Sequence, residues 1–187
     1  MRKDQVKLSQ VGKNKQIPAL IYKGTFDNHM KFGDQSGQSH SGLHLISEFK
    51  KADEQPLKTS DIVKGRSYTG TLNTRQTTVK IIEVDATTGT FTADVEIYGK
   101  AKTSTFFPPA LNLAKAKECI EAAWKDHCTY GTAEYGGGNV DIYKQMREKF
   151  KLNWLGMAKI NGRTTWVGCA HAGPVVTAFP AVNNKFR

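Results

Sequence analysis

The chain has 187 residues, with 27 Lys and Arg against 17 Asp and Glu, for a formal net charge of +10. That length carries one sizeable core or two small lobes sharing a cleft, and the positive surplus favours a polyanionic partner, whether RNA, DNA or an anionic membrane surface. No run approaches the roughly 20 apolar residues of a membrane span, the opening residues lack the apolar stretch of a signal peptide, and Cys119, Cys128 and Cys169 form no Cys-x-x-Cys pair, which argues against structural zinc and for buried thiols in a reducing compartment.

Residues 1–20 are basic and polar and predict a loosely attached arm, with the first apolar stretch at 16–22. The run 33–42 is rich in Gly and Ser and predicts a loop that folds back on itself. A short helix is expected from Leu43 to about Lys51, because Leu43, Ile46 and Phe49 share a helical face; residues 53–58 follow as a polar turn. Residues 77–84 and 90–98 are rich in β-branched and aromatic side chains and flank a turn at 85–89. They predict a β-hairpin, with Phe91, Ala93, Val95 and Ile97 on one side of its second strand.

From Leu111 to about Cys128, the apolar residues Leu113, Ala116, Ile120, Ala123 and Trp124 recur at helical spacing behind Pro108 and Pro109. Asn112 is the candidate N-cap. A Gly-rich loop at 131–138 lacks the spacing of a phosphate-binding loop, and a short helix is expected at 142–150. Residues 155–169 predict a second hairpin, with Asn161-Gly162 as a type I′ turn. A turn at 172–174 then leads into a last strand at 175–179.

Of the five histidines, His29 and His44 lie fifteen residues apart on either side of the Gly/Ser-rich loop. Two imidazoles that meet across a cleft can take and give a proton near neutral pH. On spacing alone the plainer reading is two surface or hydrogen-bonded histidines. His40 competes for the same role if the loop is shaped differently. His127 falls on the apolar face near a helix end and reads as a packing histidine or one that meets the helix dipole. His171 stands beside the last turn, and Asp34 is placed to orient the loop or to hydrogen-bond a histidine.

The residues flanking the pair carry a resemblance. His29-x-x-x-Gly33-Asp34, a polar loop and Gly42-Leu43-His44 resemble the EndoU family, which includes the coronavirus uridylate-specific endoribonuclease, animal EndoU enzymes and bacterial EndoU toxin domains. Residues 100–108 resemble the family's lysine segment, and their Ser-Thr-Phe-Phe-Pro run is similar to the bacterial branch. Residues 176–180, Val-Thr-Ala-Phe-Pro, resemble its closing Thr-x-Tyr-Pro strand. The three segments lie in the family's order over about residues 26–182.

The resemblance implies an α+β fold with two small antiparallel β-sheet lobes and flanking helices facing across an active-site cleft. It implies a single catalytic domain over residues 21–187, with lobes at roughly 21–130 and 131–187. The implied activity is cleavage of single-stranded RNA at uridine or another pyrimidine. RNA supplies its own nucleophile, the 2′-hydroxyl, so the enzyme needs only a base, an acid for the leaving 5′-oxygen and a cation for the phosphorane. The products are a 2′,3′-cyclic phosphate and a 5′-hydroxyl.

On that resemblance His29 and His44 are catalytic, with base and acid unassigned, and Lys100 is favoured as the cation by its spacing to Ser104. Lys102 lies two residues away on the same face if the segment is extended. Ser104, Thr177, Phe179 and Lys102 are the implied substrate-binding residues, with Thr177 on a uracil edge and Phe179 stacked on base or ribose. Phenylalanine at 179, where Tyr is commoner, keeps the stacking face and loses the hydroxyl; its alternative role is a core residue. No cofactor is required for this chemistry; some family members respond to manganese, which leaves Mn2+ stimulation open. The expected partners are RNA and, for a bacterial toxin domain delivered into target cells, a cognate immunity protein. A non-catalytic basic RNA-binding module on the same scaffold is the alternative. A metal-dependent DNase would need clustered acidic ligands, and the acids here are scattered.

Overall fold

In the computed structural model of the chain, residues 16–34, 41–97, 99–170 and 174–181 are described. The fold is α+β. Strands β1 (Lys50–Lys51), β2 (Ser67–Leu72), β3 (Arg75–Val84), β4 (Phe91–Ile97) and β5 (Lys100–Phe106) form one antiparallel sheet in chain order. Strands β6 (Trp154–Ile160), β7 (Arg163–Cys169) and β8 (Ala178–Pro180) form a second antiparallel sheet. Among the described residues three α-helices accompany them: α1 (Phe26–Phe32), α2 (Leu113–Tyr130) and α3 (Val140–Phe150). No helix among the described residues is long and apolar enough to cross a membrane.

Local chemistry accounts for the expected elements. Phe91, Ala93, Val95 and Ile97 alternate inward along β4 and are buried. The β3–β4 turn closes on Asp85, whose carboxylate accepts from Thr87 N at 2.9 Å and Thr87 Oγ1 at 2.6 Å. Asn112 caps α2 by accepting from Lys115 N at 2.9 Å. Asn161 and Gly162 have φ of 51° and 75°, the paired positive values of a type I′ turn. The last strand is shorter than expected: Val175 makes an isolated parallel bridge to Tyr22, and β8 begins at Ala178.

Residues 43–49 are not the expected helix. Leu43 has φ of 63° directly after Gly42 at 76°, so the chain enters the segment in a left-handed conformation that no right-handed helix continues. Its amides bond elsewhere: Leu43 N to His29 O, and His44 N and Leu45 N to Met30 O. The apolar spacing serves two cores instead of one helix face. Leu43, Ile46 and Phe49 enter the core beneath the five-stranded sheet, with Val79, Ile81 and Val95. Leu45 enters the other core, with Phe26 and Met30 of α1, Ala116, Ile120 and Ala123 of α2, and Trp154 and Val167 of the small sheet.

Helix α2 therefore belongs with β6–β8, although its sequence position put it with residues 21–130. The close fit depends on Gly156 of β6, where a Cβ would stand 1.8 Å from Ala123 O. Residues 16–20 of the expected arm are held against this unit: Trp124 Nε1 donates to Pro18 O at 2.5 Å, and Leu20 packs on its core. Residues 1–15 lie outside the described residues.

Candidate active site

The site begins with helix-end chemistry. The last carbonyls of an α-helix lack intrahelical partners, and those of α1 are taken by the segment after the loop. His29 O accepts from Gly33 N and Leu43 N, and Met30 O accepts from His44 N and Leu45 N. These bonds set His44 beside the helix that carries His29. Asp34 and Ser41 pair as an antiparallel bridge, with Asp34 N to Ser41 O at 2.7 Å, so the loop does fold back. Its tip, 35–40, with His40, lies outside the described residues, as do Tyr98, His171 and most of the 172–174 turn. Helix α1 itself had no counterpart among the expected elements.

Both imidazoles are buried, at 5% exposure for His29 and 6% for His44. Each is fixed through Nδ1. His29 Nδ1 lies 2.7 Å from Asp34 Oδ2. His44 Nδ1 lies 2.8 Å from Thr105 O, and a carbonyl only accepts, so this nitrogen carries the hydrogen. Ser104 stands 3.2 Å from the same nitrogen and donates to Leu43 O at 2.6 Å. His29 Nε2 is buried and has no hydrogen-bond partner among the described residues.

Gly42 joins the two halves. A Cβ there would stand 2.6 Å from His29 O and 2.8 Å from both Cε1 and Nε2 of the ring. Its own carbonyl accepts from Lys102 Nζ at 2.8 Å. Residues of β5 alternate, so Lys100, Lys102 and Ser104 share the face that also carries Phe106 toward the core. Lys102 reaches Gly42 from a position opposite Val95; Lys100 stands opposite Ile97, further from Ser104. Burial pushes the Lys102 ammonium down to about 8, with Asp34 pulling it back upward.

Phe179 comes from β8 of the other sheet and holds its ring 5.0 Å from that of His44, at 30°. It also packs with Leu152, Leu155 and Ala181. Thr177 precedes β8, and its Oγ1 is buried without a hydrogen-bond partner among the described residues. The structure thus brings together His29, His44, Lys102, Ser104 and Phe179, with Asp34 behind His29. Gly42, the last residue of the polar loop, has a packing role against His29 that its place in the sequence does not mark.

His127 and the three cysteines lie outside this cluster, and His127 Nδ1, like His29 Nε2, is buried without a hydrogen-bond partner among the described residues. His127 lies among Trp124, Trp154 and Tyr143, and desolvation pushes it down to about 4. A neutral ring fits packing and has no charge for the helix dipole. All three cysteines are free thiols, and burial pushes Cys128 up to about 12, away from the reactive thiolate. Among the described residues no group of three or more His, Cys, Asp or Glu could hold a metal ion.

No family model matches the chain, and no curated protein or solved structure matches it either.

Proposed function

We propose that the chain is an EndoU-type endoribonuclease that cleaves single-stranded RNA at uridine or another pyrimidine, in a cleft between its two sheets. The observation that supports this best is the shared treatment of the two histidines. Each Nδ1 is tied to an acceptor, which fixes both rings and assigns the proton transfers to Nε2. The unpartnered Nε2 of His29 would find its first hydrogen-bond partner in a substrate hydroxyl; a buried polar atom left unpaired in a folded protein calls for such an explanation.

His29 is the base. The Asp34 carboxylate beside Nδ1 balances the charge the ring takes on with the 2′-hydroxyl proton. The freed oxygen attacks the adjacent phosphorus, and His44, entering as the imidazolium with a hydrogen on each nitrogen, donates its Nε2 proton to the departing 5′-oxygen, which leaves a 2′,3′-cyclic phosphate. Lys102, rather than Lys100, supplies positive charge to the phosphorane, and it exchanges the Gly42 carbonyl for a phosphate oxygen. Ser104 is a positioning residue, because its hydroxyl is engaged with Leu43 O and His44 Nδ1. Phe179 stacks on the substrate beside His44, and the Thr177 hydroxyl hydrogen-bonds the base edge.

The test is incubation of a labelled RNA containing one uridine, in EDTA, with the wild type and with His29→Ala and His44→Ala. Cleavage by the wild type alone is expected. An RNA bound tightly yet left intact by the wild type, with or without Mn2+, would favour the non-catalytic binding module.

A further inference from the structure

We propose that the groove between α3 and the outer face of the small sheet is a second nucleotide subsite, with a base of the same RNA strand stacked on Trp166 and its phosphate at Lys149. This deepens the RNA-cleaving function proposed above and rests on it. The groove has a volume of about 440 Å³, within the range of small-molecule sites. Its walls are Met146, Lys149 and Phe150 of α3, Thr164 and Trp166 of β7, and the β3–β4 turn at Asp85. An aromatic platform beside an exposed cation suits single-stranded nucleic acid, because every base has a stackable face and every step carries a phosphate.

Register connects this groove to the candidate active site. Phe179 lies opposite Gly168 across β7 and β8. Trp166 is two residues from Gly168 and on the same face, which makes Phe179 and Trp166 diagonal neighbours, about 7–8 Å apart. The glycine between them is covered by Leu152 and Leu155: a Cβ there would stand 2.4 Å from Leu152 Cδ1, and both Trp166 and Phe179 pack against this pair. The ring over His44 and the ring in the groove thus flank one apolar ridge of the small sheet, close enough for neighbouring nucleotides of one strand to reach both.

Three further observations fit a nucleotide as the occupant. The Trp166 ring is braced edge-on by Tyr143, with centroids 5.1 Å apart at 80°, so little side-chain freedom is lost on stacking. Asp85, the acid on the wall, turns its carboxylate onto its own turn, accepting from Thr87 N, Thr87 Oγ1 and Thr88 N. Lys149 is exposed on the last turn of α3.

The experiment compares kcat/KM on a hexanucleotide with one central uridine against kcat/KM on the dinucleotide UpA, for wild type, Trp166→Leu and Lys149→Glu. The second variant alters an exposed side chain and so guards against misfolding in the first. The advantage of the longer substrate is expected to fall by about five- to a hundredfold in both variants, the scale of one lost base stack. An unchanged advantage overturns the subsite while leaving RNA cleavage intact. If the wild type cleaves neither substrate, the function proposed above fails by itself. Quenching of tryptophan fluorescence by a 2′-O-methyl hexanucleotide, weakened in both variants, would then still support the groove, and its absence would overturn it.

Discussion

Gly42→Ala is the sharpest structural perturbation of the candidate site. The residue has φ of +76°, where a side chain costs about 1–2 kcal/mol. The added Cβ would stand 2.6 Å from His29 O and 2.8 Å from two ring atoms. That carbonyl is fixed by bonds from Gly33 N and Leu43 N, so the ring is what yields. To reach ordinary contact it must retreat by roughly 0.6–1 Å, and a displacement near 1 Å at a reacting group costs on the order of a hundredfold in rate. Gly65→Ala is the matched control: φ is +87°, and nothing lies within 4 Å of the added atom. Both variants are expected to lower Tm by about 2–8 °C. Only Gly42→Ala should also lower kcat on a single-uridine RNA, by about 10- to 100-fold, and shift the His29 imidazole resonances. Equal Tm losses with an unmoved His29 spectrum would refute the role assigned to Gly42.

Three other outcomes follow from the same geometry. With Lys102 held near 8 by burial, kcat/KM should decline above about pH 8, and Lys102→Arg, which stays charged, should extend the plateau upward; a common alkaline limb for the two proteins would contradict this. Lys102→Ala should cost more kcat than Lys100→Ala, about tenfold or more, and the reverse order would return the cation role to Lys100. His127 titrates near 4 in the fold against 6.5 outside it, so the unfolded chain binds more protons between those values and stability falls as pH drops through that window, by on the order of 3 kcal/mol. Urea unfolding at pH 7 and pH 4.5 should show that loss in the wild type and a smaller one in His127→Leu.

What was legible in the sequence was what local chemistry decides. Asn112 is a cap wherever the apolar spacing of α2 begins, and Asn161-Gly162 turns a hairpin by its own backbone preferences. The 43–49 segment defeated periodicity because its apolar residues serve two cores, and because Gly42 and Leu43 enter it left-handed. Helix α1 is seven residues long, and Thr25 at its start makes no side-chain cap bond, so neither of the usual helix signals marks it. The choice between Lys100 and Lys102 depends on how far β5 runs past Gly42, which is a matter of register and not of spacing along the chain. Likewise α2 stands between two sheets in sequence, and only the close approach at Gly156 decides which one it covers.

The central claim is that paired histidines direct the 2′-hydroxyl of RNA onto its own phosphate. Mass analysis of the 5′ fragment from a single-uridine RNA, run beside the same oligonucleotide with 2′-deoxyuridine at that position, tests it most directly. The account predicts a 2′,3′-cyclic phosphate from the ribose substrate and no cleavage of the deoxy one. Cleavage of both, leaving an ordinary phosphate end, would contradict it.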